Sequence, residues 1–566
     1  MLEQMFLQGK IHAKDRMMAK DMHVRLKEFA DNGELEQDEV PKVSTIQRWI
    51  SQYHKTFLDQ ATRTALQSNL GEDISEGRLI LAVVFFKLSR RTKLNEPPLV
   101  YYRFPIIGHT WSFVTDCEKL MLESREKYGE TFSLYVLGQV MTVVGKETTH
   151  EVLKKDQDFN FNEGFRTLVP FHSVFSHLTS LDKNHKIIRD YVVGKLKYLT
   201  SRLQKNIIKA IDLYIGECVE PKVIRDPPKT LSDIIAIPIA NIIVGEDCCN
   251  YEDILETFKT LTHSVMKIFF VPPILSFIHP WLHKQFVTIP LRFGWNPISN
   301  HRKLIISRIK PIIEKRLYDK KRLGDAWIAP LDALQCYLDD PETTPDLDPN
   351  NVNYNYIADA IGHFIVAAMA TTSDSATQNK QQYWQELYQE AQNINNQYDG
   401  NELTSNDIAR MVKLDNFVKE SLRLSIGVVG LPHKCISKSY YTFANEYQVP
   451  SDRIVILNFS DTNNDEELQG PNPTEFNAYR HLERNSPASK LERNFLTFGG
   501  GKHACPGRFL AVDGIKVFLH KVILKYDIRT ETKGTENIET KKVYFGPLPG
   551  PIKGGIVFEN RKEIAN

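Results

Sequence analysis

The chain has 566 residues, with 71 Lys and Arg against 70 Asp and Glu, a net charge of +1. With 42% hydrophobic and 25% charged residues it is neither disordered nor fibrous, and its charge balance excludes a global basic field for nucleic acid. A mean hydropathy of −0.33 excludes a polytopic membrane protein. Seven cysteines, an odd number with no Cys-x-x-Cys pair, exclude a disulfide framework and argue against structural zinc; the chain reads as reduced and cytosol-facing.

Residues 1–70 are polar and helical in pattern. Ile46, Trp49, Ile50 and Tyr53 share one helix face, with Ser44 as N-cap after Pro41. A turn at Asp31-Asn32-Gly33 fits either a small helical appendage or a DNA-contacting helix-turn-helix. In residues 76–94 the apolar run Leu79–Phe86 precedes Lys87, Arg90, Arg91 and Lys93. Eight helical residues reach ~12 Å against a bilayer core of ~30 Å. The run cannot span alone and reads as a short interfacial anchor with a cytosolic basic flank, or as a buried helix or strand. Asn95-Glu-Pro-Pro-Leu99 is then a stiff hinge into a catalytic body at 95–560. From Glu118 this body is mostly helical. Strands are predicted at Thr131–Val136, Met141–Val144, Arg453–Leu457 and near the C-terminus. Pro341–Pro349 is a loop, and a long helix starts near Tyr354. The fold class is mainly α with small β-sheets.

The segment carrying the most chemistry is Phe498-Gly-Gly-Gly-Lys-His-Ala-Cys-Pro-Gly507. Glycines without a Cβ let backbone lie against a planar ligand. Pro506 suits a first helical position, and Val512, Ile515, Leu519 and Val522 form an apolar stripe beyond it. Cys505 is thus predicted at a helix N-terminus, where a thiolate is stabilised and can ligate a haem iron.

This segment resembles the haem-binding loop of cytochrome P-450 monooxygenases, with His503 in the Arg/His slot, and the resemblance covers about residues 96–558. It implies a single large haem-enclosing domain and haem b ligated by Cys505, with Phe498, Gly501, His503 and Gly507 around the sulfur. Glu420-Ser-Leu-Arg423, 85 residues before Cys505, resembles the family's Glu-x-x-Arg motif. Arg480 in Phe476-Asn-Ala-Tyr-Arg480 would close a structural triad with Glu420 and Arg423. His185 and Arg189, one turn apart, and His433 resemble residues that bind haem propionates.

Ala367-Ala-Met-Ala-Thr371-Thr372 resembles the family's oxygen-side helix, in which Thr371 and Thr372 are the catalytic pair. Ala370 stands where the family has an acid. The polar run Gln378–Gln382 follows where apolar packing is expected, so the segment reads as short by about two helical turns. The resemblance implies insertion of one atom of O₂ into an apolar sterol, fatty acid or secondary metabolite. Electrons would come from an NADPH–cytochrome P-450 reductase, with cytochrome b5 a further partner, at the cytosolic face of the endoplasmic reticulum membrane. The absent acid leaves open a haem-thiolate isomerase or dehydratase acting on a peroxide, and the short helix leaves open a haem-binding pseudoenzyme. Residues 159–175 and 545–552 are the expected substrate loops.

Overall fold

In a computed structural model the described residues are 19–31, 40–43, 45–46 and 94–561, apart from 169–170, 179–180, 270–273, 278, 376–380, 398–401, 532–543, 546 and 550–553. Two compact units separate at residue 94. In the first, the helix Ala19–Asp31 buries Met22 and Leu26. The apolar run 79–86 and most of the predicted 46–53 helix face lie outside the described residues, though Ile46 is buried.

The second unit is helical with small sheets, and its core forms around the helix Tyr354–Ser375. That helix carries Ile357, Ala358, Ala360, Ile361, Phe364, Ile365 and Met369, all buried. A helix apolar over most of its circumference is stable only when other elements surround it. Helices Pro227–Val244, Glu252–Phe269 and Pro297–Leu323 pack against it. Its buried carboxylate, Asp359, is met by Arg302 at 2.5 and 3.2 Å and by the backbone N–H of His177 at 2.8 Å. Charges are tolerated in such a core when paired in this way.

A five-stranded sheet runs in the order Phe132–Val136, Gln139–Val144, Ile454–Leu457, His433–Cys435, Phe159–Asn160. Its second pair is parallel, Met141 opposite Ile454, and the other three pairs are antiparallel. The two short strands His433–Cys435 and Phe159–Asn160 carry too little alternation to be read from sequence, and tertiary pairing makes them. They matter for the site: Asn160 pairs with Lys434, which sets Phe161 beside His433. The helix Phe161–Leu168 then lies so close to this strand that a Cβ on Gly164 would stand 2.4 Å from the Pro432 carbonyl. A glycine is therefore required there. The predicted C-terminal strands are Tyr526–Thr530 and Ile556–Asn560, in a sheet with Lys222–Ile224.

Candidate functional site

Cys505 differs from the other six cysteines, which are buried, in being open on its surface. It is nonetheless surrounded by protein. Burial is the largest influence on its thiol and raises its pKa. The backbone N–H groups of Gly507 and Arg508, both hydrogen bonded to the sulfur, and the Arg508 charge act in the opposite direction. The combination describes a sulfur facing a concave interior space.

Local geometry corrects the sequence expectation in two respects. The helix begins at Arg508, with Gly507 as N-cap, so Pro506 is in a turn and Cys505 stands three residues before the first helical position. The helix end does not by itself make a thiolate, because desolvation outweighs it. A bound metal cation would supply the missing compensation, since a coordinating thiol is deprotonated outright. Val512, Ile515, Leu519 and Val522 anchor this helix in the core.

The loop before Cys505 is held by backbone. The Cys505 N–H donates to the Phe498 carbonyl at 2.9 Å, and the Arg508 guanidinium donates back to the Cys505 carbonyl at 3.0 Å. Gly499 and Gly501 have φ of +68° and +61°, in the left-handed region. A Cβ on Gly501 would fall 1.9 Å from the Leu153 carbonyl, so the loop can dock on the helix Lys146–Lys154 only with glycine there.

Three histidines gather beside this loop. The Phe161 ring lies 5.8 Å from that of His433 and 6.0 Å from that of His503. His185 interacts electrostatically with His503, and both feel the Asp182 carboxylate. Burial lowers the pKa of each, that of His433 to about 4. Arg189 does not join them. The helix passes into a π-helical segment at Ile188–Val193, and Arg189 pairs in solvent with Asp190 at 2.8 Å, its side chain 66% exposed. Phe161 and Asp182, and His363 with its partner Asn184, were missed by the sequence reading. His363 Nδ1 is 3.1 Å from Asn184 Nδ2, and Asn184 accepts from the Tyr337 hydroxyl at 2.6 Å. No spacing in the sequence joins residues 161, 182 and 363; only the packing does.

Glu420, Arg423 and Arg480 are brought together and buried. Arg423 forks onto both carboxylate oxygens of Glu420 at 2.8 Å and also donates to the Asn463 and Pro473 carbonyls at 2.7 Å. Arg480 reaches Glu420 at 3.1 Å and donates to the carbonyls of Gln469, Pro471, Asn472 and Glu475. The three side chains pin the helix Val412–Ser425 to the irregular chain 463–480 that leads to the Cys505 loop. Thr371 and Thr372 lie near the C-terminal end of the central helix, and the side chains of 370–380 are outside the described residues.

A desolvated sulfur with two N–H donors on it, a glycine bed beside it and imidazoles at its edge fit a thiolate-ligated haem, and a mainly helical body of this order defines a haem-thiolate class of fold. The sequence model of cytochrome P450 matches residues 97–553, and the chain belongs to that family. It is similar to cytochrome P450 monooxygenase 110 of Postia placenta, 24% identical over 85% of this chain and 97% of the relative. It is also similar to cytochrome P450 monooxygenase gloO of Glarea lozoyensis, 25% identical over 81% and 85%, and to cytochrome P450 monooxygenase avaH of Aspergillus versicolor, 24% over 69% and 84%. The protein is accordingly a P450-type monooxygenase with a haem cofactor bound through a cysteine thiolate.

Proposed function

We propose that Cys505 is that thiolate ligand and that the protein hydroxylates an apolar small molecule of the sterol, fatty-acid or secondary-metabolite kind, with electrons from an NADPH-dependent reductase. The carrying observation is the sulfur itself, the open cysteine among seven, with the Gly507 and Arg508 N–H groups directed at it. Such donors moderate the electron density of a ligating sulfur. Bound haem supplies the oxidative chemistry: one oxygen atom of O₂ enters the substrate C–H bond and the other leaves as water, with two electrons from NADPH and protons from solvent. Phe498 and Gly501 shape the loop around the sulfur, His503 lines its edge, and Gly507 borders Sγ, a Cβ there standing at an ordinary contact distance of 4.0 Å. Glu420, Arg423 and Arg480 are structural.

Thr371, with Thr372 beside it, is assigned to proton delivery, without the carboxylate that Ala370 lacks. A hydroxyl on this helix can accept and pass a proton within hydrogen-bond reach. A membrane-surface seat is supported by exposed Trp281, Leu282, Phe286 and Ile289 on the helix Pro280–Arg292, with Phe293 and Trp295 just after it. Aromatic and apolar groups of this kind settle at a headgroup boundary. No described helix is long and apolar enough to cross a membrane.

The test is the absorption spectrum of the reduced, CO-bound protein. Cys505→Ala should abolish the thiolate-type band; an unchanged band refutes the assignment. With a reductase present, Thr371→Ala should lower product formed per NADPH and release peroxide. An unaltered ratio would remove Thr371 from oxygen activation.

A further inference from the structure

The sheet Lys222–Ile224, Ile556–Asn560, Tyr526–Thr530 turns one face inward. Ile224 pairs with Ile556 and Ile528 with Phe558, and alternation along the strands puts these four side chains on that face. They line a cavity of about 40 Å³. Leu231 and Ile234 come to it from the helix Pro227–Val244, and Phe518, Leu519 and Val522 from the helix Arg508–Lys525. Trp384, which opens the helix Trp384–Asn395, also borders it. Phe518 is ten positions beyond Arg508, about 15 Å along the helix, so this space is separate from the Cys505 site.

The cavity stands where the central helix stops. Gly245, just past the end of the helix Pro227–Val244, is so near Asp332 that a Cβ on it would lie 2.3 Å from that carboxylate. Asp332 caps the helix Ala333–Leu338, and the ring of Tyr337 in that helix is 6.0 Å from the ring of Tyr356 in the first turn of the central helix. The helix Pro227–Val244 packs on the central helix and thus runs antiparallel to it. Its first turns, which line the cavity, therefore lie toward the end at Ser375.

The walls suit carbon and not water. Of the thirteen lining residues only Thr230 and Trp384 have a polar side-chain atom, and the Thr230 hydroxyl already donates to the Asp226 carbonyl at 3.1 Å. A buried water needs about two to four polar partners. By size the space would hold roughly three or four waters, or a molecule of about as many carbon atoms.

We propose that this cavity, left where the central helix falls about two turns short, is a binding site for a small uncharged hydrocarbon of about three or four carbons, independent of the substrate that meets the haem. The occupant supplies the dispersion contacts that the walls lack across the gap, and it brings no polar group that burial would leave unpaired.

The test is methyl NMR of the full-length, haem-loaded protein in its reduced, CO-bound form, which is diamagnetic, with isoleucine δ1-methyl groups labelled. Cyclopropane is the probe. The Ile234 and Ile528 signals should shift saturably with it, while those of Ile309 and Ile357, buried elsewhere, stay still. Formamide, similar in size but polar, should move none of them. Val522→Phe fills the cavity, and Thr230→Asp puts a carboxylate in its wall. Each should reduce the Ile234 and Ile528 shifts about tenfold or more at a fixed, subsaturating cyclopropane concentration. If Val522→Phe does not fold, Thr230→Asp alone decides. The proposal is overturned if Ile234 and Ile528 move no more than Ile309 in the wild type, or move as far in the variants as in the wild type. An equal response to formamide overturns the hydrocarbon assignment.

Discussion

Glu420 shows how much one side chain can carry. Burial pushes its pKa up, and the Arg423 hydrogen bonds and charge, the Asn477 N–H and Arg480 more than reverse this, leaving it below its ordinary value of 4.5. A carboxylate with a depressed folded-state pKa stabilises the fold fully above its unfolded value, and that contribution is lost as pH falls through the folded one. Wild-type stability should thus exceed that of Glu420→Gln near pH 7, the margin narrowing as the protein is acidified below about pH 4.5. Chemical denaturation across that range measures it. Glu420→Ala is harsher, because it leaves two guanidinium groups buried and uncompensated. A loss of about 3–5 kcal/mol is expected, with haem content falling in step. A variant with full haem and reduced turnover alone would contradict the structural role.

The loop that carries Cys505 depends on the helix Lys146–Lys154 as much as on its own glycines. Gly499 and Gly501 both have positive φ, but their surroundings differ: nothing stands within 4 Å of a Cβ on Gly499, whereas the Leu153 carbonyl blocks one on Gly501. Gly499→Ala should cost only the left-handed strain of about 1–2 kcal/mol and keep the thiolate-type CO band. Gly501→Ala should displace the loop from the helix and lose most of that band in haem-loaded preparations. Equal effects of the two substitutions would show that backbone conformation, not the contact with Leu153, sets the loop. The same comparison explains why the run of three glycines is not uniform in purpose.

At the scale of the molecule, the site proposed for haem draws on residues 153, 161, 182, 185, 433 and 505, all within the unit Leu94–Asn566. A chain starting at Leu94 should therefore fold, load haem and show the same CO band, and bind lipid vesicles less than the full chain. Serine at Trp281, Phe286, Phe293 and Trp295 should reduce vesicle binding of the shortened chain further, measured by co-sedimentation. If the shortened chain fails to take up haem, the two units are not independent.

The sequence by itself determined the motif around Cys505, the mainly helical class, the long helix from Tyr354 and the Glu420–Arg423 pairing, because each is written in local spacing. A glycine bed, a 3.6-residue stripe and an i, i+3 ion pair are short-range patterns. What only the tertiary structure decided was which of these residues meet. It turned Arg189 to solvent, placed Asp182 and Phe161 among the histidines, set the helix start at Arg508 rather than at Pro506, and buried Cys505 enough to oppose its ionisation. These outcomes depend on desolvation and on contacts between segments far apart in the chain, such as Leu153 with Gly501 and Phe161 with His503. Neither quantity exists until the chain is packed.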